Sequence, residues 1–291
     1  MNSTPDIYFP NLEISIEHMD RVAFTIFGFD VYKYGAIICF GVILGIALVI
    51  YRAKRSGQDP DIYTDYVFWG ILFGVLGARC YYMIFHAGTL KGFFEIRSGG
   101  LAIYGGIIGA VLALIVYTRI KKYPLLLFTD TAVTSLVLGQ LIGRWGNFAN
   151  REAFGGPTES LFAMAYKASQ VPGLEITDST SALYNGYAVY PLHNLNGTDY
   201  IWVHPTFLYE SCWNLLLLIL LLVLSRHKKF DGQLTAIYFI GYGIGRFIIE
   251  SMRTDQLLIF GIPVSMLLSA ILAVAGICFM IYKLLKLNTN K

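Results

Sequence analysis

The sequence predicts an all-α polytopic membrane protein: seven transmembrane helices, N-terminus outside, C-terminus cytoplasmic, with a small extracytoplasmic lobe between helices four and five. Three observations lead there. The 291 residues are 56% hydrophobic and 14% charged, with a mean hydropathy of +0.57, which lies outside the soluble globular range. Apolar runs of the ~20 residues needed to cross a hydrocarbon core recur along the chain. Clusters of Lys and Arg follow every second run, the pattern of cytoplasmic loops.

The runs are Tyr34–Tyr51, Tyr66–Phe85, Leu101–Tyr117, Leu125–Ile142, Phe207–Leu224, Gln233–Glu250 and Val264–Tyr282. Arg52, Lys54 and Arg55 follow the first; Arg119, Lys121 and Lys122 the third; Arg226, Lys228 and Lys229 the fifth; Lys283, Lys286 and Lys291 close the chain. These clusters hold more than half of the 22 basic residues and account for the net charge of +3, so the charge gives no support to nucleic-acid binding. The first run is expected to stay in the mature protein rather than be cleaved as a signal peptide. Acidic residues precede it and its basic cluster lies on the C-terminal side. The whole of 1–291 reads as one transmembrane domain, with the lobe at 151–205 inserted in it. In that lobe, Tyr-rich stretches separated by Asn-Gly pairs fit either short strands and hairpins or an irregular connector.

Cys39, Cys80, Cys212 and Cys278 stand singly in apolar runs and are expected to be small buried packing residues. No Cys-x-x-Cys pair or His spacing suggests zinc, so neither metal nor organic cofactor is implied.

Polar residues collect at the outer ends of several runs. A fourth helix starting inside near Leu125 and rising about 1.5 Å per residue brings Arg144, Asn147 and Asn150 to the outer membrane surface. In the sixth, Tyr242, Arg246, Glu250 and Arg253 fall within about 80° of one another at ~100° per residue, a polar stripe on one side. Ionisable groups in a membrane helix are costly and are usually paired or functional. Arg246 and Glu250 also have the spacing of a self-neutralising i,i+4 pair, and Arg144 is able to snorkel to the interface. In the segment Ser98–Ala110, Gly99, Gly100, Gly105, Gly106 and Gly109 suit close helix packing, whereas the hydroxyl of Tyr104 points somewhere accessible. His204-Pro205 fits an interfacial turn and Tyr209 an aromatic belt. Glu210, a turn into the fifth helix, needs a partner.

The run Gly143-Arg144-Trp145-Gly146-Asn147-Phe148-Ala149-Asn150-Arg151-Glu152-Ala153-Phe154-Gly155 resembles the signature G-R-x-G-N-F-x-N-x-E-x-x-G of the bacterial prolipoprotein diacylglyceryl transferases. The likeness continues through Tyr34-Gly35, Gly77-Ala78-Arg79 with Tyr82, the glycine-rich segment 99–106, His204-Pro205 with Tyr209-Glu210, and Tyr242-Gly243 with Arg246 and Glu250. It covers nearly the whole chain and is weakest from Gly156 to Trp202.

The resemblance implies transfer of the diacylglyceryl group of phosphatidylglycerol to the lipobox cysteine thiol of a preprolipoprotein, forming a thioether and releasing glycerol phosphate. It implies a bacterial cytoplasmic membrane, an active site toward the extracytoplasmic face, and both substrates entering from the bilayer. Displacement at an sp³ carbon needs no serine triad. Charge builds on the departing phosphate, which planar guanidinium groups bind in a fork, so Arg144 and Arg246 fit as catalytic groups. By position, Tyr34 and Asn147 hydrogen-bond the headgroup and Glu152 and Glu250 orient arginines. Gly155 permits a tight turn, and Tyr242, His204 and Glu210 complete the phosphatidylglycerol site. Many relatives carry His where this chain has Tyr104. A neutral Tyr, of reference pKa ~10, is a poor base, so Tyr104 is expected to position the thiol or the phosphate. Deprotonation is left to the local positive field or to a carboxylate such as Glu250.

A secondary transporter would show internal repeats and broken helices near the midplane, and none is evident. An intramembrane protease would need a deep Ser–His pair or aspartate dyad, and Asp130 has no evident partner in the sequence. A transferase-like chain that has lost activity is suggested only by Tyr104.

Overall fold

The computed structural model describes residues 4–85, 100–186, 188–259 and 261–289. Four short strands come first: β1 (Ile7–Phe9), β2 (Ile14–Ile16), β3 (Val22–Ile26) and β4 (Phe29–Tyr32). Helices α1 (Lys33–Arg55), α2 (Pro60–Phe85), α3 (Ile103–Ile120) and α4 (Leu125–Asn150) follow. Next are β5 (Met164–Lys167), β6 (Leu174–Ile176), β7 (Ser181–Tyr184), β8 (Ala188–Leu195) and β9 (Thr198–Val203). The chain continues through α5 (Thr206–Leu224), α6 (Gln233–Glu250), the two-residue strands β10 (Leu258–Ile259) and β11 (Ile262–Pro263), and α7 (Val264–Thr289).

Among the described residues, seven long helices overlap the seven apolar runs, and six of them are long and apolar enough to cross a membrane. The exception is α6, whose 18 residues include Gln233, Arg246 and Glu250. Large apolar side chains such as Phe40, Phe68, Ile107, Leu216 and Ile271 are exposed on the other helices. Water would not tolerate so continuous an apolar surface, whereas lipid is its natural solvent. The protein is a multi-pass membrane protein.

That solvent also explains a correction. All four cysteines are exposed on helix surfaces rather than buried in packing. A thiol behaves as a small hydrophobe, and in hydrocarbon it needs no protein cover.

The chain divides into two compact units. One comprises residues 1–44 and 136–291, the other 45–135. In the first, a seven-stranded antiparallel sheet runs β2-β1-β5-β9-β8-β7-β6. Ile7 lies opposite Tyr166, Met164 opposite Val203, Leu192 opposite Ile201 and Ala182 opposite Tyr190. The Tyr-rich stretches of 151–205 are therefore strands, and Asn196-Gly197, both at positive φ, close the β8–β9 hairpin. The N-terminal strands β1 and β2 belong to the same sheet, so the lobe extends beyond 151–205. Asp6 fixes them there: its carboxylate accepts from the Met19 N–H at 2.9 Å and Gln170 Nε2 at 2.7 Å, and pairs with Lys167 at 3.3 Å. The core of this unit joins Ile7, Met164, Tyr166, Tyr190 and Ile201 to Phe148 at the end of α4 and Phe207 at the start of α5. The two Phe rings stack with centroids 4.5 Å apart.

In the second unit, α2 and α3 pack through glycine. A Cβ on Gly105 would lie 2.3 Å from the Gly77 carbonyl oxygen, and one on Gly109 would lie 2.2 Å from that of Phe73. Packing is thus the work of these glycines, as small residues allow in membrane helices. Arg79 Nη1 donates to the Gly100 carbonyl at 2.9 Å. Gln58 Oε1 accepts from Tyr123 and Tyr63, whose ring stacks on Phe128 at 4.6 Å. Asp130 is buried in this unit and is attracted by the Arg52 guanidinium, so it does have a charged partner. Ser98 and Gly99 lie outside the described residues.

Candidate active site

The signature stretch straddles the end of α4. Arg144 and Asn147 lie in its last two turns, and Arg151 and Ala153, both at positive φ, turn the chain back toward β5. That reversal returns Glu152 to Asn147 Nδ2 at 3.0 Å and Asn150 Nδ2 at 3.4 Å. Glu152 was expected to orient an arginine. It accepts from two amides instead, because the turn after Asn150 keeps it beside its own helix end.

The arginines find their carboxylate on α5. Glu210 is 4% exposed, and its two oxygens are divided between helices. Oε2 meets Arg144 Nε of α4 at 2.7 Å, and Oε1 meets Arg246 Nη1 of α6 at 2.7 Å. Arg246 Nη2 continues to Glu250 Oε2 at 2.6 Å, so the i,i+4 pair exists as one link of a longer chain. Arg253, just past α6, lies 3.9 Å from Glu250 and makes a two-pronged contact with Asp255 at 2.9 and 2.7 Å. Burial alone would lower the Arg253 pKa, but Asp255 and Glu250 outweigh it and hold the guanidinium firmly charged. Arg253 and Asp255 were not among the residues assigned to the site, although Arg253 lay on the stripe that pointed to Arg246.

The two inner arginines are bound differently. Arg246 spends both terminal nitrogens on carboxylates. Arg144 uses Nε for Glu210, and among the described residues its Nη1 reaches Asn147 Oδ1 at 3.5 Å, the outer limit of a hydrogen bond.

The remaining residues frame this chain of charges. The Tyr34 ring lies against Gly146, where a Cβ would come within 2.9 Å. Tyr34 and Glu152 line a cavity of about 460 Å³ with Arg21, Tyr32, Gly35, Asn150 and Pro172. Tyr242 stacks on Tyr238 with centroids 5.3 Å apart, and the Tyr238 hydroxyl accepts from Gln140 Nε2 at 2.9 Å. His204 laces the signature to α5: its carbonyl accepts from the Gly155 N–H at 3.0 Å and its own N–H donates to Gly156 at 3.1 Å. Its ring Nδ1 sits 3.4 Å from the Tyr209 hydroxyl, and burial lowers its pKa. Gly155 has no positive φ. A Cβ there would lie 2.7 Å from His204 Cβ and 3.0 Å from the Met252 carbonyl, so close approach rather than a tight turn requires glycine. Tyr104 lies in the first turn of α3, in the second unit, and is half-buried.

Comparison with known proteins matches residues 21–282 to the family model described as prolipoprotein diacylglyceryl transferase. The chain belongs to the prolipoprotein diacylglyceryl transferase family. A Finegoldia magna protein named phosphatidylglycerol–prolipoprotein diacylglyceryl transferase is 39% identical over 268 residues, 90% of this chain and 95% of the relative. Proteins of the same name from Clostridioides difficile and Listeria welshimeri are each 38% identical, covering 94% of this chain and 98% and 93% of their own lengths. The transferase match therefore spans both units and every residue of the charged chain described above.

Proposed function

We propose that this chain transfers the diacylglyceryl group of phosphatidylglycerol to the lipobox cysteine of a preprolipoprotein, the first step of lipoprotein maturation. The observation that carries the reading is the meeting of Arg144 and Arg246, from separate helices, on the single buried carboxylate of Glu210. With Glu210 and Glu250 held by Arg246, Arg144 keeps its outer edge for the lipid phosphate. Asn147, 3.5 Å from Arg144, and Tyr34, packed against Gly146, hydrogen-bond the glycerol headgroup in this reading.

The cysteine sulfur attacks the glycerol carbon that bears the phosphate. The C–O bond breaks as the C–S bond forms, and glycerol phosphate leaves with the electron pair. Guanidinium groups favour this step because the departing oxygens gain charge. The thiol must lose its proton, and a cluster of three arginines favours the thiolate. Glu250 accepts that proton, or the field favours its loss to water, and Tyr104 positions the thiol or the phosphate. Tyr242, His204, Gly155 and Glu152 support the headgroup site.

The topology proposed has seven crossings, the N-terminus outside and the C-terminus cytoplasmic, with 151–205 an extracytoplasmic lobe of one domain in the bacterial cytoplasmic membrane. Pairing of β1 with β5 supports it, because both sides of that pair must lie on one side of the bilayer. Among the described residues four helices separate them, which as four crossings make an even number.

Purified protein incubated with phosphatidylglycerol and a lipobox peptide should raise the peptide mass by one diacylglyceryl unit. No mass change, with folded protein and intact lipid, overturns the reading.

A further inference from the structure

The hairpin that leads into α1 has no part in the chemistry above. In it, Ile26 lies opposite Phe29, Thr25 opposite Asp30 and Phe24 opposite Val31. Opposite residues of an antiparallel pair share a face and neighbours alternate. Phe24, Ile26, Phe29 and Val31 therefore form one face and Thr25 and Asp30 the other, where Thr25 Oγ1 donates to Asp30 Oδ1 at 2.7 Å. Two-stranded hairpins are marginally stable in water by themselves, and Phe24, Ile26 and Phe29 are exposed.

The tip sharpens the question. Phe27 and Gly28 form a two-residue loop with φ of 49° and 80°, a turn that suits Asn-Gly or Gly-Gly. This chain uses Asn196-Gly197 for the corresponding turn of β8–β9, with φ of 52° and 81°. At Phe27 a bulky side chain occupies a left-handed position, which is sterically unfavourable, and it is 97% exposed. In water that choice is poor on both counts. In an apolar phase the exposure becomes favourable and offsets the strain.

Connectivity identifies the phase. The Lys33 N–H donates to the Arg21 carbonyl at 2.8 Å, closing the base of the hairpin, and Lys33 is the first residue of α1. That helix is 23 residues long and apolar enough to cross a bilayer. No linker separates the hairpin from it, so the apolar face continues directly into the lipid-facing surface of the protein. Tyr32, also exposed, and Lys33 are the residue types of the interfacial belt.

We propose that the β3–β4 hairpin is an interfacial anchor. Phe24, Ile26, Phe27 and Phe29 enter the interfacial layer of the bilayer that α1 crosses, and Thr25 and Asp30 face water. The occupant of the apolar face is lipid.

Two measurements on the full chain test this, both in vesicles of phosphatidylcholine and phosphatidylglycerol. In a background with Cys39, Cys80, Cys212 and Cys278 replaced by Ala, a nitroxide on Phe27→Cys should collide more with oxygen than with a water-soluble nickel chelate. On Thr25→Cys the preference should reverse. A label at 27 that favours the nickel chelate overturns the proposal. So does one shielded from both reagents, which would mean that protein or a second copy covers the tip. The second measurement needs no label. Phe27→Asn suits the turn better but removes the apolar tip, which should cost about tenfold in the docked fraction. Amides of residues 25–30 should then exchange about tenfold faster than in wild type, with Phe27→Leu close to wild type. Equal exchange in wild type and Phe27→Asn overturns the proposal.

Discussion

Glu210 is the residue on which the arrangement of both inner arginines depends. Replacing it by Gln leaves two guanidinium groups facing each other with no shared counter-charge. Removal of one partner from a buried ion pair costs about 3–5 kcal/mol, and the lower end applies because the Arg144 side chain keeps 19% exposure. Thermal unfolding should register a clear loss for Glu210→Gln and a smaller one for Glu152→Gln, which breaks only amide contacts. Arg144→Lys keeps the charge but loses the planar fork. Turnover should collapse while the unfolding temperature holds, and unchanged kinetics would reduce Arg144 to a helix anchor. Tyr104→Phe should lower turnover, and Tyr104→His should raise it and shift its pH profile. Full activity in Tyr104→Phe would remove the positioning role. At this scale the sequence carried much of the information. The stripe pointed to Arg246, Glu250 and Arg253, and the depth of Glu210 demanded a partner. That one carboxylate serves two arginines depends on how α4, α5 and α6 are rotated, which no single helix encodes.

At the scale of elements, two packing devices carry distinct signatures. The α2–α3 contact leaves no room at Gly105 or Gly109, so Gly105→Ala must separate the helices or bend them. A loss of about 1–3 kcal/mol is expected, readable as earlier thermal unfolding in detergent. The N-terminal strands depend on Asp6. Burial raises its pKa, but hydrogen bonds from Met19 and Gln170 and the Lys167 charge outweigh it and leave the pKa below the usual value. Its contribution is present above the unfolded carboxylate pKa of ~3.9 and is lost as pH falls through the lower folded value. Asp6→Asn should speed amide exchange in β1 and β2 at neutral pH. His193, stacked on Trp202, and His204 both have pKa values lowered by burial. Their neutral forms stabilise the fold above about pH 6.5, and that part is lost on acidification. Between about pH 7.5 and about pH 5.5 the unfolding temperature should fall, and fall less in a His193→Gln, His204→Gln double variant. Helix positions were legible because hydropathy is a local signal. The place of β1 and β2 was not, since the β1 partner Met164–Lys167 lies four described helices away in sequence and β2 joins the sheet through β1.

For the whole molecule, lipid as solvent decides which sequence signals mean burial. In water the apolar runs and lone cysteines would both mark a protein core. Here most of that surface faces outward, and the buried interior is where polar groups pair, at Asp6, Glu210 and Glu250. Reporter fusions after Lys54 and after Asn196 should report opposite sides of the membrane, and identical readings would refute the proposed topology.

The sheet also imposes an order on biogenesis. Ile7 leaves the ribosome about 160 residues before its neighbour Tyr166, a lag of about ten to thirty seconds at ~5–20 residues per second. In the topology proposed, the leading segment passes the translocon and waits unpaired during that interval, while the four described helices between β1 and β5 are inserted behind it. An amino-terminal fusion that is slow to cross would thus hold up closure of a sheet whose other strands have yet to be made.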